Sequence, residues 1–154
     1  MPIETLAERL IARGNSLSTA ESCTGGLIAH RITNLAGSSA YFLGGIVSYS
    51  NAAKETLLHV PHEMLVAHGA VSEPVARAMA EGARQAIGSD YAIGVTGIAG
   101  PDGGTAEKPV GLVYIAVAGP DGTTVTQNRF AGGREQVKEQ TADRAVTLLL
   151  ERLG

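Results

Sequence analysis

Leu17-Ser18-Thr19-Ala20-Glu21-Ser22-Cys23-Thr24-Gly25-Gly26-Leu27-Ile28 decides how this 154-residue chain is read. Leu17 to Glu21 is short and leads into Gly25-Gly26, which predicts a strand ending in a turn. Leu27, Ile28, Ile32 and Leu35 then recur on one helical face, and Gly37 stops that pattern. On the N-terminal side, Ile3, Leu6 and Leu10 follow helical spacing up to Gly14, giving a helix over roughly 3–13.

Downstream, Tyr41 to Tyr49 reads as a strand, and Gly44-Gly45 inside it signals a bulge or a close backbone approach. Asn51 to Leu58 and a segment opening at Pro61 read as short helices. Ser72 is placed to cap a longer helix with Pro74 in its first turn, and Val75, Met79, Ala83 and Ile87 form its buried stripe. Tyr91 to Thr96 is an apolar strand followed by a Gly- and Pro-rich stretch, 97–109. Gly111 to Ala118 and Thr123 to Phe130 are two strands. Gly119-Pro120-Asp121-Gly122 between them is a hairpin turn by composition. A last helix runs from about Arg134, with Val137, Ala145, Leu148 and Leu149 toward the core. Strands alternating with helices imply a largely parallel sheet covered on both faces. The closing hairpin requires at least one antiparallel strand. No internal repeat or linker divides the chain, so residues 1–154 are expected to form one domain.

The composition excludes several classes. At 44% hydrophobic with 20 glycines, it suits a compact α/β protein rather than a disordered chain. The net charge of −3 is spread along the sequence, without the basic tract of a nucleic-acid surface. The single cysteine, Cys23, permits no intrachain disulfide. No apolar run approaches the ~20 residues of a membrane span, and the N-terminus is too charged for a signal peptide. A soluble cytoplasmic protein is the expectation. The four histidines lack metal-ligand spacing, so no metal or cofactor is expected. The carboxylates Glu21, Glu73, Asp102 and Glu107 show no paired pattern.

Three polar, glycine-rich stretches fall where strands should end, the place where open α/β sheets bind ligands. The first, Thr19 to Gly26, offers backbone amides and a helix start as an anion or oxyanion site, or else only a helix cap made by Ser22 or Thr24. The second, Ser48 to Lys54, puts a lysine one turn into a helix. It is a base if desolvation lowers its pKa, and otherwise a solvated charge. The third, Thr96 to Gly104, holds four glycines in nine residues and reads as a ligand-wrapping loop or a long connection. Gly132-Gly133-Arg134 adds an arginine suited to phosphate or carboxylate, or one lying on the surface.

Ala20-Glu21-Ser22-Cys23-Thr24-Gly25-Gly26, Ser48-Tyr49-Ser50-Asn51 with Lys54, Gly69-Ala70-Val71-Ser72-Glu73-Pro74, Thr96 to Gly104 and Lys108-Pro109-Val110-Gly111 together resemble the CinA C-terminal domain family. The match is colinear over nearly the whole chain. The resemblance implies a three-layer α/β/α sandwich with a mixed sheet. It also implies a nicotinamide-nucleotide amidohydrolase in stand-alone form, without the molybdopterin-binding-like domain that precedes it in some proteins. By matched position, Ser22 is the nucleophile, Lys54 its base and Tyr49 a helper to both. Thr96 and Arg134 are substrate-site residues. Thr24, Gly25, Gly26, Gly97, Gly103 and Gly104 complete the expected substrate contacts.

The expected partner is a small-molecule nucleotide, with no nucleic acid and no membrane, and a homo-oligomer is left open. The rivals are a non-catalytic nucleotide-binding module and an amidase for another carboxamide. Cys23 is intrinsically the stronger nucleophile. Yet its stretch has no histidine to form a thiolate, and adjacent side chains at a strand end point to opposite faces.

Overall fold

Alternation of short apolar strands with helices produces a sheet buried on both sides. In the computed structural model, which describes residues 2–154, the order is α1 (Pro2–Arg13), β1 (Leu17–Glu21), α2 (Leu27–Thr33), β2 (Phe42–Val47), α3 (Asn51–Leu58), α4 (His62–His68) and α5 (Glu73–Ile87). Then follow β3 (Tyr91–Gly97), β4 (Leu112–Gly119), β5 (Gly122–Arg129) and α6 (Arg134–Leu153). The strands lie in the order β2-β1-β3-β4-β5. β1 pairs in parallel with both β2 and β3, whereas β3–β4 and β4–β5 are antiparallel. Four strands therefore run one way and β4 alone runs the other. This is the expected mixed α/β fold.

One helical layer, α1, α2 and α6, packs Leu6, Leu10, Ile28, Ile32, Val137 and Leu149 against Leu17, Ile93, Val95 and Ile115 of the sheet. The opposite layer is dominated by α5, which crosses all five strands. There Ala76, Ala80 and Ala83 meet Ala20, Ala92, Ala116 and Ala118. Small residues on both surfaces let the α5 backbone come close. A Cβ on Gly94 would stand 2.7 Å from the Ala80 nitrogen.

Both readings of Gly44-Gly45 hold. The β1–β2 register slips between Leu17 and Ser18, and a Cβ on Gly45 would stand 2.5 Å from Thr19 Oγ1. The hairpin is also as read, since Gly119 pairs with Gly122 around Pro120-Asp121.

Three expectations need correction. The second helix ends at Thr33 rather than near Gly37, which instead opens a separate 3-10 turn, Ser38–Ala40, with a φ of 87°. Ser72 sits at the start of α5 but makes no side-chain cap, because its hydroxyl turns back to donate to Gly69 O at 2.9 Å. Ile87 is only half-buried, lying over Gly44 of the edge strand β2. Among the described residues no helix is long and apolar enough to cross a membrane.

Candidate active site

The chain leaves β1 through α2 toward β2 on one side, and returns through α3–α5 to β3 on the other. The carboxyl ends of β1, β2 and β3 thus flank a switch in strand order, the location where α/β sheets open a crevice. Ser22 follows β1 directly. Thr96 and Gly97 close β3. Lys54 lies in α3, whose start is fixed by Ser50 accepting from Ala53 N at 3.1 Å.

Lys54 is only 1% exposed. Its Nζ donates to Ser48 O at 2.8 Å and to Ser22 Oγ at 3.1 Å. Among the described residues no carboxylate pairs with it. Desolvation by burial accordingly holds its pKa below the usual lysine value. The solvated-charge alternative is excluded by this burial.

Cys23 is buried among the core residues of α1, α2 and α6, although it also forms part of the cleft wall. Burial pushes its thiol up to about 12, which leaves it protonated and poorly nucleophilic. Strand alternation has sorted the neighbours: Ser22 to the lysine, Cys23 chiefly to the core.

A cleft of about 230 Å³ opens over this pair, lined by Ser22, Cys23, Tyr49, Asn51, Lys54, Ala70, Val71, Thr96, Gly97, Ala99 and Arg134. No acidic side chain lines it. Thr96 donates its hydroxyl to Ala70 O at 2.9 Å, tying β3 to the segment before α5. Arg134 begins α6 and reaches across the cleft. Its Nη1 donates to Gly100 O at 2.7 Å and its Nη2 to Tyr49 Oη at 2.8 Å. The Tyr49 hydroxyl is therefore engaged by Arg134 rather than by Ser22 or Lys54.

The structure thus brings together Ser22, Lys54, Tyr49, Thr96, Gly97 and Arg134. It does not bring the other expected contacts to the cleft wall. Thr24 is buried and gives its hydroxyl to Glu21 at 2.7 Å. Gly25 and Gly26, at φ of 60° and 102°, shape the turn, and the missing Cβ positions point toward Lys138 and Val47. Gly103 and Gly104 lie in the exposed part of the loop that follows β3.

Sequence reasoning assigned no role to Asn51, Ala70 or Val71, which line the cleft from within motifs it had already marked. It also passed over Glu21, which accepts from Thr24 Oγ1, from Ile28 N at 2.8 Å and from Ala29 N at 2.9 Å. The first-turn amides of α2, expected to be open to an anion, are thus occupied by this carboxylate. Among the described residues no group of three or more His, Cys, Asp or Glu is gathered in the way a metal ion needs.

Residues 2–153 match the CinA C-terminal domain family. A CinA-like protein of Geobacter sulfurreducens is 57% identical over 152 residues, which cover 98% of this chain and 37% of the relative. One from Anaeromyxobacter dehalogenans is 53% identical over 146 residues, 95% of this chain and 36% of the relative. The chain therefore spans about a third of the length of the curated relatives it matches.

Solved structures match along nearly their whole length. A CinA superfamily protein from Klebsiella pneumoniae superposes with a TM-score of 0.96 at 38% identity, covering 99% of this chain and 95% of that one. The competence/damage inducible protein from Agrobacterium tumefaciens gives 0.92 at 44% identity, covering 98% and 95%. With the family's pattern running from residue 2 to 153 and relatives more than half identical, the chain belongs to the CinA C-terminal domain family.

Proposed function

We propose that this chain hydrolyses the carboxamide of nicotinamide mononucleotide, giving nicotinic acid mononucleotide and ammonia, with Ser22 as nucleophile and Lys54 as base. One observation carries the reading. A buried lysine without a carboxylate partner holds its Nζ 3.1 Å from a serine hydroxyl at the mouth of a cleft. Serine–lysine pairs are a known form of the nucleophile–base arrangement.

In the neutral amine, one N–H stays on Ser48 O and the lone pair faces Ser22 Oγ. Ser22 Oγ attacks the carboxamide carbon while its proton passes to Lys54 Nζ. The oxyanion that forms lies near the turn after β1, where, among the described residues, the Cys23 and Thr24 amides donate to no backbone carbonyl. A well-placed donor of this kind lowers the barrier by roughly 3–4 kcal/mol. Lys54 then returns the proton to the departing nitrogen, and ammonia leaves an acyl-Ser22. Water attacks the ester, its proton going to Lys54 and then back to Ser22 Oγ as the acid departs.

The nicotinamide nucleotide itself comes from the family resemblance. The cleft suits it in charge, because Arg134 with no acidic lining favours a phosphate. The cationic pyridinium already activates the carbonyl, so no metal or cofactor is required. Purified protein with a chelator should release ammonia from nicotinamide mononucleotide, and do so faster than from free nicotinamide or the dinucleotide. Activity lost in chelator and restored by a divalent metal would overturn the metal-free chemistry. Binding of the nucleotide without ammonia release would leave only a binding module.

A further inference from the structure

Glu21 precedes the nucleophile and is 1% exposed, yet among the described residues no basic side chain forms an ion pair with it. A carboxylate taken out of water without a cation must be held by hydrogen bonds, or it is strongly disfavoured. Here all three donors come from one short segment: Thr24 Oγ1 at 2.7 Å, Ile28 N at 2.8 Å and Ala29 N at 2.9 Å. Two of these are orphan amides in the first turn of α2, where the helix dipole also favours a negative charge. The residue at the start of α2, Gly26, has no side chain to cap with. The cap therefore arrives from the preceding strand, across the turn that contains Ser22.

We infer that Glu21 is a positioning residue for the Ser22 nucleophile, its buried carboxylate pinning the 22–26 turn to the first turn of α2. This rests on the reading of Ser22 as nucleophile. Two links fix the turn at its ends. Ser22 N donates to Val95 O at 3.1 Å, which ties it to β3. The Glu21 carboxylate ties the far side to α2. Between them, Ser22 Oγ and the Cys23 and Thr24 amides have little freedom to shift. The turn's own backbone bonds, Gly25 N to Ser22 O at 3.0 Å and Leu27 N to Thr24 O at 3.1 Å, set its local shape, and the Glu21 carboxylate fixes that shape against α2. The effect on Ser22 is geometric rather than electrostatic. The depressed pKa of Lys54 follows from desolvation, and Glu21 is not among its causes.

Glu21→Gln tests this closely. One amide oxygen can keep the Thr24 and Ile28 bonds, but the NH2 group then faces the Ala29 N–H, donor against donor. Three readouts are taken: ammonia release from nicotinamide mononucleotide, the rate at which a fluorophosphonate labels Ser22, and the melting temperature. A shift of the nucleophile by an ångström costs on the order of 100-fold in rate. The expected result is a fall in kcat of about tenfold or more, with KM within about twofold. The labelling rate should fall in parallel, and the pH midpoint governed by Lys54 should not move.

Thr24→Val removes a single bond at nearly constant shape and should show a smaller loss of the same kind. It serves in place of Glu21→Gln if that variant does not fold. Folded variants with wild-type labelling and kcat, changed only in melting temperature, would make Glu21 a cap for the fold alone and overturn the inference. Wild-type protein that labels at Ser22 but releases no ammonia would remove the proposed substrate, while the labelling rates still test Glu21. Wild-type protein that does not label at Ser22 overturns the nucleophile and the positioning role together.

Discussion

Lys54→Met tests base chemistry and burial with one substitution. Methionine is unbranched and similar in length, so it fills the same slot without the amine. Wild-type Lys54 is 1% exposed, and burial lowers its pKa from the usual 10.5. The consequence for stability has a definite sign. Between the depressed folded value and 10.5, the unfolded chain binds a proton that the folded chain has released. Stability therefore rises with pH across that window, by up to about 1.4 kcal/mol per pH unit. Below the window the ammonium is charged in both states and the full cost of burying it is present.

Lys54→Met lacks this contribution, so its stability should not rise there. At neutral pH the variant leaves Ser48 O without its donor, which costs about 1–3 kcal/mol. It also escapes the cost of the desolvated cation, which is about 1.4 kcal/mol for each unit of pKa depression. The two terms oppose each other, so the pH dependence decides more than the value at one pH. Urea unfolding of both proteins from neutral pH to about 10.5 gives a difference curve in which other titrating groups largely cancel. The variant should lose ground to the wild type as pH rises. Its turnover should be lower by about 10²–10⁴-fold, or roughly 3–5 kcal/mol of barrier. Parallel stability curves, or turnover within a few-fold of wild type, would return Lys54 to an ordinary pKa and take the base out of the mechanism.

Ser22→Ala should abolish ammonia release while far-UV circular dichroism stays unchanged. Cys23→Ala should keep most activity, since burial holds that thiol at about 12, and the reverse outcome would recast the site as a thiol amidase. Arg134→Ala should raise KM for the mononucleotide and affect the riboside, which lacks the phosphate, much less. An equal loss on both would mean that its bonds to Gly100 O and Tyr49 Oη are its whole role. Gly94→Ala should lower stability by about 1–3 kcal/mol or more in denaturant unfolding, because the added methyl meets the α5 backbone at Ala80 N and Ala76 O.

The elements of this fold were legible where a residue type carries its own geometry. Gly44-Gly45 announced both the register slip beside it and the close approach of Thr19, the latter because a Cβ on Gly45 would stand 2.5 Å from Thr19 Oγ1. The composition of Gly119-Pro120-Asp121-Gly122, between two strands, announced the hairpin. The strand order was not legible, because it depends on which side of β1 each crossover returns, and no local residue records that. Ser72 shows the same limit on a smaller scale. A serine before Glu-Pro looks like a cap, but its hydroxyl takes the nearer carbonyl of Gly69.

In the site, Ser22 and Lys54 stood out by motif, but the burial that makes Lys54 a credible base is a property of the packed helices. Thr24, Gly25 and Gly26 stood out for the same reason as Ser22, and the structure gives them the shaping of the turn instead. Glu21 had no signature at all. Its main partners are backbone amides seven and eight residues on, and backbone amides leave no trace in a side-chain pattern.

The two buried charges explain each other's placement. Glu21 and Lys54 are 1% exposed, and each lies beside Ser22, the first in sequence and the second in space. Paired, they would form a buried ion pair, and the carboxylate would hold the lysine protonated. Strand alternation prevents this. At the end of β1, Glu21 projects toward α2 and Ser22 toward α3, so the sheet separates them. Each charge is then relieved by a different means. For the carboxylate, the first turn of α2 supplies hydrogen-bond donors and a favourable dipole. Among the described residues the lysine's partners are a carbonyl and a hydroxyl, and it sheds its proton more readily than a free lysine. Moving the acid by one residue in either direction would place it on the Lys54 face and remove the base. That is the physical reason for an acid at 21 and a neutral hydroxyl at 22 in a strand otherwise closed to charge.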